Sequence, residues 1–258
     1  MRYGKRYPKR RPLRRKRAKA SNKSVVKIVK RELHRNIENK QITKYQNNLS
    51  IQTNNTGSIG NDIYNCIPSV RQGDALNERV GNTLKPLSLR ITAQFFPVVQ
   101  DLSAPQQALY FDMYVFKSKL TNATPPNLQT EIQNFLQPDN SQTITFDGSP
   151  QNYFQNSNRS VVTVVAKKRF KIYPLIQNQN QGNLVIDNYS SCCGHITIPM
   201  TKHLKSTLKY QNSADSDANN CSLFAFMVAT KADSTTSVTP AVTYGRVNWT
   251  STMVYEDA

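Results

Sequence analysis

Nearly all the positive charge of this 258-residue chain lies at one end, and that placement limits what each part can fold into. Residues 1–44 hold 18 of the 34 Lys and Arg but only Glu32 and Glu38 of the 16 acids, which gives them +16 of the formal +18. The first twenty residues contain Arg2, Lys5, Arg6, Lys9, Arg10, Arg11, Arg14, Arg15, Lys16, Arg17 and Lys19 and no acid, spaced by Tyr3, Tyr7, Pro8 and Pro12. Eleven like charges with almost no apolar surface leave chain entropy unopposed, so residues 1–40 read as a disordered arm rather than a domain. Its far end allows two readings. Residues 24–38 carry Val26, Val29, Leu33 and Ile37 on one helical face behind Ser24 as a cap, which predicts a short amphipathic helix; continued disorder is the alternative.

A ribbon of this kind attaches to polyanions. Each Lys or Arg seated on a phosphate releases condensed counterions, so attachment is sequence-independent and weakens with salt. No arm residue need read a base, while Tyr3 and Tyr7 offer rings on which unpaired bases stack. The eleven cations are therefore the candidate nucleic-acid-binding set. Lys9, Arg10, Arg11, Arg14, Arg15, Lys16 and Arg17 also have the composition of a nuclear localisation signal, a role compatible with the first. A membrane surface is a poorer partner, because no apolar anchor accompanies these charges.

Residues 41–258 form the second region, nearly neutral and long enough to bury a sizeable core. No Pro-, Gly- or Ser-rich linker divides it, so a single domain is expected. Leu87, Leu89, Ile91, Ala93 and Phe95 alternate with Ser88, Arg90, Thr92 and Gln94, the pattern of a strand with one face buried. Between Ala108 and Lys117, Leu109, Phe111, Met113 and Val115 alternate with Tyr110, Asp112, Tyr114 and Phe116, which predicts a central strand at least partly covered on both faces. Further strands are expected over residues 42–53, 143–146, 161–173, 184–186, 195–210, 222–230 and 243–255, with one helix over 127–136. Many short strands, long polar loops and no fixed repeat predict an all-β fold: a single eight-stranded jelly roll of two packed antiparallel sheets. The longest apolar stretch, residues 221–229, is far below the roughly 20 residues of a spanning helix, so no membrane insertion is expected.

Within the body, alternation places Lys167, Arg169 and Lys171 on one strand face and Lys168, Phe170 and Ile172 on the other. Three cations on one face extend the candidate nucleic-acid set, with a solvated face as the plain alternative. His203, Lys205 and Lys209 are expected to share a face in the same way. Arg79, in a polar loop, is read as a partner for a carboxylate or a phosphate. Cys66, Cys192, Cys193 and Cys221 lack the spacing of a disulfide framework, and Cys192, Cys193 and His195 lack that of a zinc site, so neither a metal nor a cofactor is expected. Three histidines and no nucleophile, phosphate-loop or metalloprotease motif argue against an enzyme.

Four places, in order along the chain, resemble the capsid proteins of small circular single-stranded DNA viruses, the circovirus and cyclovirus relatives. They are the Arg/Tyr/Pro-rich start, Met1 to Arg17; Arg71-Gln72-Gly73-Asp74 followed by Asn77-Glu78-Arg79-Val80-Gly81-Asn82; Lys167-Lys168-Arg169-Phe170-Lys171-Ile172; and Tyr244-Gly245-Arg246-Val247-Asn248-Trp249 with the later Asp257. The resemblance implies a jelly-roll subunit of an icosahedral shell, T=1 with sixty copies, whose arms package a single-stranded DNA genome. It also implies location in the virion and in the host nucleus during assembly, with a nuclear import receptor and a cell-surface attachment factor as host partners. A non-assembling basic nucleic-acid-binding protein and the coat protein of a small RNA virus remain open on the same residues.

Overall fold

The computed structural model describes residues 25–29, 39–53, 62–75, 77–98, 108–119, 132–139, 143–180, 183–186, 188–231 and 243–257. The chain divides into two units, Met1–Glu38 and Asn39–Ala258. In the first, residues 25–29 are helical with Val25, Val26, Ile28 and Val29 exposed. The rest of the helix expected over 24–38 lies outside the described residues.

The second unit is all-β. Its described strands are β1 (Lys40–Gln52), β2 (Ile63–Asn65), β3 (Thr83–Pro97), β4 (Leu109–Ser118), β5 (Val162–Ile172), β6 (Gln177–Asn180), β7 (Asn183–Ile186), β8 (Gly194–Pro199), β9 (Leu208–Lys209), β10 (Phe224–Lys231) and β11 (Thr243–Asp257). Antiparallel pairing builds one sheet in the order β1-β11-β3-β8 and another in the order β2-β10-β4-β5. A single parallel pair, Gln52 with Val228, joins them at a corner. The pairing is nested: β1 lies beside β11, β2 beside β10, β3 beside β8 and β4 beside β5. Eight strands wrapped in this way make the jelly roll expected from the strand pattern. β6 and β7 form a separate hairpin, and β9 adds two residues to the start of β3.

Alternation decides which side chains meet between the sheets. In β3, Leu89, Ile91, Ala93 and Phe95 are buried while Ser88, Arg90 and Gln94 are exposed. β11 sends Val247, Trp249, Met253 and Tyr255 inward, where Trp249 stacks on Tyr64 at 5.6 Å and 8°. In β1, Asn48 adopts a positive φ of 63°, a conformation that Asn tolerates better than most residues, and the ladder shifts register there. The backbone N–H of Asn48 donates to the side-chain oxygen of Asn248 and holds the bulge.

As expected, β4 is covered on both faces. Phe111, Met113 and Val115 enter the inter-sheet core, whereas Tyr114 and Phe116 enter a second core with Phe135, Phe146, Phe224 and Phe226. These rings meet edge-on or tilted at 5.2–5.8 Å, apart from the stacked Tyr114–Phe226 pair. Each such pair adds about 0.5–1.5 kcal/mol to the burial of its rings. The second core fastens residues 132–139 and 143–162 over the outside of the β2-β10-β4-β5 sheet, and that layer shapes the surface beside β5.

Three expected elements differ. Residues 143–146 are not a strand: the Asn152 amide donates to Thr145 O at 3.2 Å and accepts from Asp147 N at 2.9 Å, so a side chain takes the place of a neighbouring strand. Residues 195–210 are not continuous either. Pro199 has no N–H, and the Thr201 hydroxyl accepts from Leu89 N, which ends the ladder and starts a 3₁₀ turn, Thr201–His203. Of the helix expected over 127–136, the first residues lie outside the described set and only 132–133 are helical. β2 is too short to show periodicity, and β6, Gln-Asn-Gln-Asn, has no apolar alternation to display.

Candidate nucleic-acid interface on strand β5

The eleven arm cations, Arg2 to Lys19, lie outside the described residues, so the geometry of the candidate interface is that of the body. β5 pairs with β4 and ends its sheet. Its Lys167, Lys168 and Lys171 are exposed, and charge on an edge strand is also a common guard against pairing with another chain.

Lys167, Arg169 and Lys171 share a face as the alternation requires, but they are not three equivalent free cations. In the β4–β5 register Arg169 lies opposite Asp112, whose carboxylate is 1% exposed. Arg169 Nε donates to Asp112 Oδ1 at 2.6 Å and Nη2 to Oδ2 at 2.8 Å; Thr230 Oγ1 also donates to Oδ2, at 2.9 Å. Such a bidentate, two-bond pair commits the guanidinium's charge within the fold. Its flat faces lie 3.4 Å from the centre of the Tyr153 ring and 4.7 Å from that of Tyr110. Arg169 therefore acts as a spacer between rings more than as a phosphate ligand.

Lys167 and Lys171 form no ion pair among the described residues and also sit against rings. Lys167 Nζ donates to Tyr153 O at 2.6 Å and lies 4.2 Å from the Tyr153 ring and 5.3 Å from that of Tyr114. Burial pushes the Lys167 ammonium below the ordinary lysine range, and Arg169 adds to the push against the pull of Asp112. Lys171 Nζ is 5.1 Å from the Tyr173 ring. Phe154 is 76% exposed and Tyr173 61% exposed, so β5 and the one-turn helix Gln151–Phe154 present a ridge of alternating cations and rings. Cations for phosphates beside rings for bases are the parts of a single-strand binding surface. Sequence reasoning found the cations and missed the rings: Tyr173 directly follows β5 in the chain, whereas Tyr110 and Tyr153 are brought to β5 only by the fold.

The remaining basic candidates serve other ends. Arg79 binds neither a carboxylate nor a free surface. It is fully buried, stacks 4.2 Å from the Tyr210 ring, and donates to the carbonyls of Val70, Gly81, Asn212 and Asp215 and to the side-chain oxygens of Gln72 and Asn82. One guanidinium thus ties the loop before β3 to the loop after β9. His203, Lys205 and Lys209 do not share a strand face: His203 is in the 3₁₀ turn, Lys205 in a loop and Lys209 in β9. Burial, then Lys202 and Lys117, hold the His203 imidazole below its usual range. Cys192 and Cys193 donate to the carbonyls of Tyr173 and Tyr189. Trp249 is fully buried in the inter-sheet core.

A second surface was not anticipated. The outer face of the β1-β11-β3-β8 sheet carries rows of uncharged polar residues, with Thr43 bonded to Thr252 and Thr92 to Thr197. Arg90 is exposed on it, while Arg246 donates to Asn48 O and Ser50 Oγ, and Tyr45 is 60% exposed.

No family model and no curated protein matches the sequence. Among solved structures, the chain is similar to that of Desmodium yellow mottle tymovirus at 10% identity, with 86% of this chain and 88% of the other covered and a TM-score of 0.31. It is similar to Merkel cell polyomavirus VP1, solved as an unassembled pentamer, at 13% identity, 84% and 95% coverage and a TM-score of 0.25. It is likewise similar to the BFDV capsid protein, solved as a 60-mer, at 13% identity, 86% and 93% coverage and a TM-score of 0.17. Likeness of this depth defines neither a family nor an activity.

Proposed function

We propose that this chain is a viral coat subunit: the jelly roll self-assembles into a closed shell, and the basic arm packages a single-stranded DNA genome. The observation that carries the reading is the joining of two parts in one chain. An eight-strand nested sandwich, beginning at Lys40, follows an N-terminal 38 residues that hold +14 of the +18 charges. Identical bodies can meet edge to edge only if they do not repel, and a body of about +4 meets that condition while nucleic acid neutralises the arms. Sixty arms of +14 would bring roughly 840 charges to the cargo, the order needed to neutralise part of a genome of a few thousand phosphates.

In this reading Arg2, Lys5, Arg6, Lys9, Arg10, Arg11, Arg14, Arg15, Lys16, Arg17 and Lys19 contact phosphates, and Lys9 to Arg17 also engage a nuclear import receptor. On the body, Lys167 and Lys171 add cations, and Arg169 holds the rings between them. The subunit is then a component of the virion, assembled in the host nucleus and attached to host cells through a surface factor. It performs no catalysis.

Light scattering after size exclusion, negative-stain imaging and nuclease protection test the proposal together on the full chain expressed with nucleic acid. Megadalton particles that protect single-stranded DNA are the expected result. Protected RNA would reassign the cargo, and a monomer that binds nucleic acid without assembling would overturn the coat reading.

A further inference from the structure

Where β5 ends one sheet and β8 ends the other, no described strand joins them, whereas the opposite edge of the sandwich is closed by the Gln52–Val228 pair. Two local breaks widen this open edge. β5 bulges at Val165, because Val115 pairs with Ala166 and Phe116 with Val164. β8 stops at Pro199, and the chain turns away through Thr201–His203. The result is a cavity of about 460 Å³, within the range of small-molecule sites. Val165 and Ala166 line one side, and Ile198, Pro199 and Met200 the other. Val165, Ala166 and Ile198 pack against the inter-sheet core and Met200 is 1% exposed, so the floor is the apolar flank of the core itself.

The mouth is basic. Lys202 and His203 line it, and Lys117 follows Phe111, Met113 and Val115 in the alternating set of β4 that faces the inter-sheet core. Burial, then Lys202 and Lys117, hold the His203 imidazole below its usual range, which places the three groups near one another. No lining residue is acidic, and none of the three forms an ion pair among the described residues. The walls are set before any ligand arrives: Met200 N donates to Leu89 O at 2.8 Å, His203 N to Met200 O at 2.9 Å and Leu89 N to Thr201 Oγ1 at 3.0 Å. An apolar flank open to water is unfavourable, and so are clustered cations without a counter-ion; a ligand with an apolar chain and an anionic head relieves both.

We infer that this cavity binds a single-chain amphiphilic anion of the fatty-acid type, its alkyl chain on Val165, Ala166, Ile198 and Met200 and its carboxylate on Lys117, Lys202 and His203. A single chain suits a slot between two strands. The exposed rings of a second copy are poorer occupants, because Phe154 and Tyr173 project from the β5 ridge beside Lys167 and Lys171, whose charges repel a basic mouth. The inference concerns the body alone and stands whether or not the chain forms a shell.

The test titrates the full-length protein with sodium decanoate below its micelle concentration, at constant ionic strength, and reads binding by calorimetry. Sodium octanoate and decanol are the comparison ligands. Ala166→Phe fills the floor, Lys202→Met removes a charge at the mouth, and Lys168→Met removes a β5 cation that does not line the cavity. Decanoate should bind saturably, octanoate roughly tenfold more weakly for the loss of two methylenes, and decanol without response to K202M. A166F should abolish the saturable signal, K202M weaken decanoate about threefold, and K168M leave it unchanged. Arm cations add a background that all these proteins share. If A166F does not fold, the chain-length comparison and K202M, a change at an exposed side chain, still decide the matter. Equal binding of decanoate and octanoate, or wild-type binding in K202M together with A166F, would overturn the inference. So would an A166F protein that binds decanoate normally but changes particle size in light scattering, since the open edge would then belong to a second copy.

Discussion

Removal of the Arg169 guanidinium should be worse for the fold than removal of the charge it neutralises, and the two changes together should be better than the first alone. Asp112 receives three hydrogen bonds, two from Arg169 and one from Thr230, and its carboxylate is 1% exposed against 18% for the Arg169 side chain. Arg169→Met strands a buried carboxylate with only the Thr230 bond. Breaking a buried pair in this way costs about 3–5 kcal/mol, and the partial exposure on the arginine side sets the figure near 3 kcal/mol. Asp112→Asn keeps an acceptor for Arg169, whose charge can reach water, and should cost about 1 kcal/mol. In the R169M background the same D112N change removes the stranded charge and should restore about 2 kcal/mol. The sign of one substitution thus reverses with its neighbour. Urea unfolding of unassembled protein, followed by the fluorescence of Trp249, the single tryptophan, measures all four corners of the cycle. At about 2–4 °C per kcal/mol for a body of this size, R169M should also melt roughly 6–12 °C early. Additive losses, or a D112N change that destabilises both backgrounds, would refute the argument that the carboxylate is the buried partner that needs the pair.

Three further outcomes follow from other contacts. Arg79→Leu should lower stability by about 3 kcal/mol or more and expose the amides of residues 70–82 and 212–215 to hydrogen exchange together, since six oxygens lose their donor at once; exchange confined to one loop would contradict the tie. Gly245→Ala should destabilise by about 1–3 kcal/mol in chemical denaturation, because an added Cβ would lie 2.6 Å from the Phe111 ring and 2.8 Å from the Phe96 carbonyl oxygen, and the backbone oxygen cannot swing away. Burial raises the pKa of Tyr64, Tyr114 and Tyr210 and pushes that of Tyr255 up to about 12, against about 10 in an unfolded chain. The native state then binds more protons than the unfolded state above pH 10, so tyrosine-linked stability is complete below pH 10 and is lost as pH rises towards 12. Phenolate absorbance that appears only with loss of circular dichroism is the expected reading; titration of these rings at pH 10 in folded protein would refute it.

Much of the fold was legible along the chain because its cause is local. Leu89, Ile91, Ala93 and Phe95 face the core because alternate side chains of a strand must, and the apolar residues on both faces of residues 109–118 required two covering layers. Residues 143–146 and 195–210 misled for the opposite reason. Their pairing was decided by polar side chains, the Asn152 amide bonded to Thr145 and Asp147 and the Thr201 hydroxyl bonded to Leu89, which leave no trace in hydrophobic period. The same division holds at the candidate site. Three cations at alternate positions of β5 can be read from spacing, but whether each is free depends on strand β4. Asp112 is 57 residues away in sequence and meets Arg169 only through the pairing register.

Composition and periodicity by themselves determined that the charge is gathered into one N-terminal segment and that the remainder makes alternating strands, since both are properties of neighbouring residues. Only the tertiary structure decided that Arg79 is sealed among carbonyls, that Arg169 is consumed by Asp112, and that the rings of Tyr110 and Tyr153 lie against Arg169. Those outcomes depend on which distant groups share a low-dielectric space, where a charge must be paired and a hydroxyl bonded; no one-dimensional pattern encodes that neighbourhood.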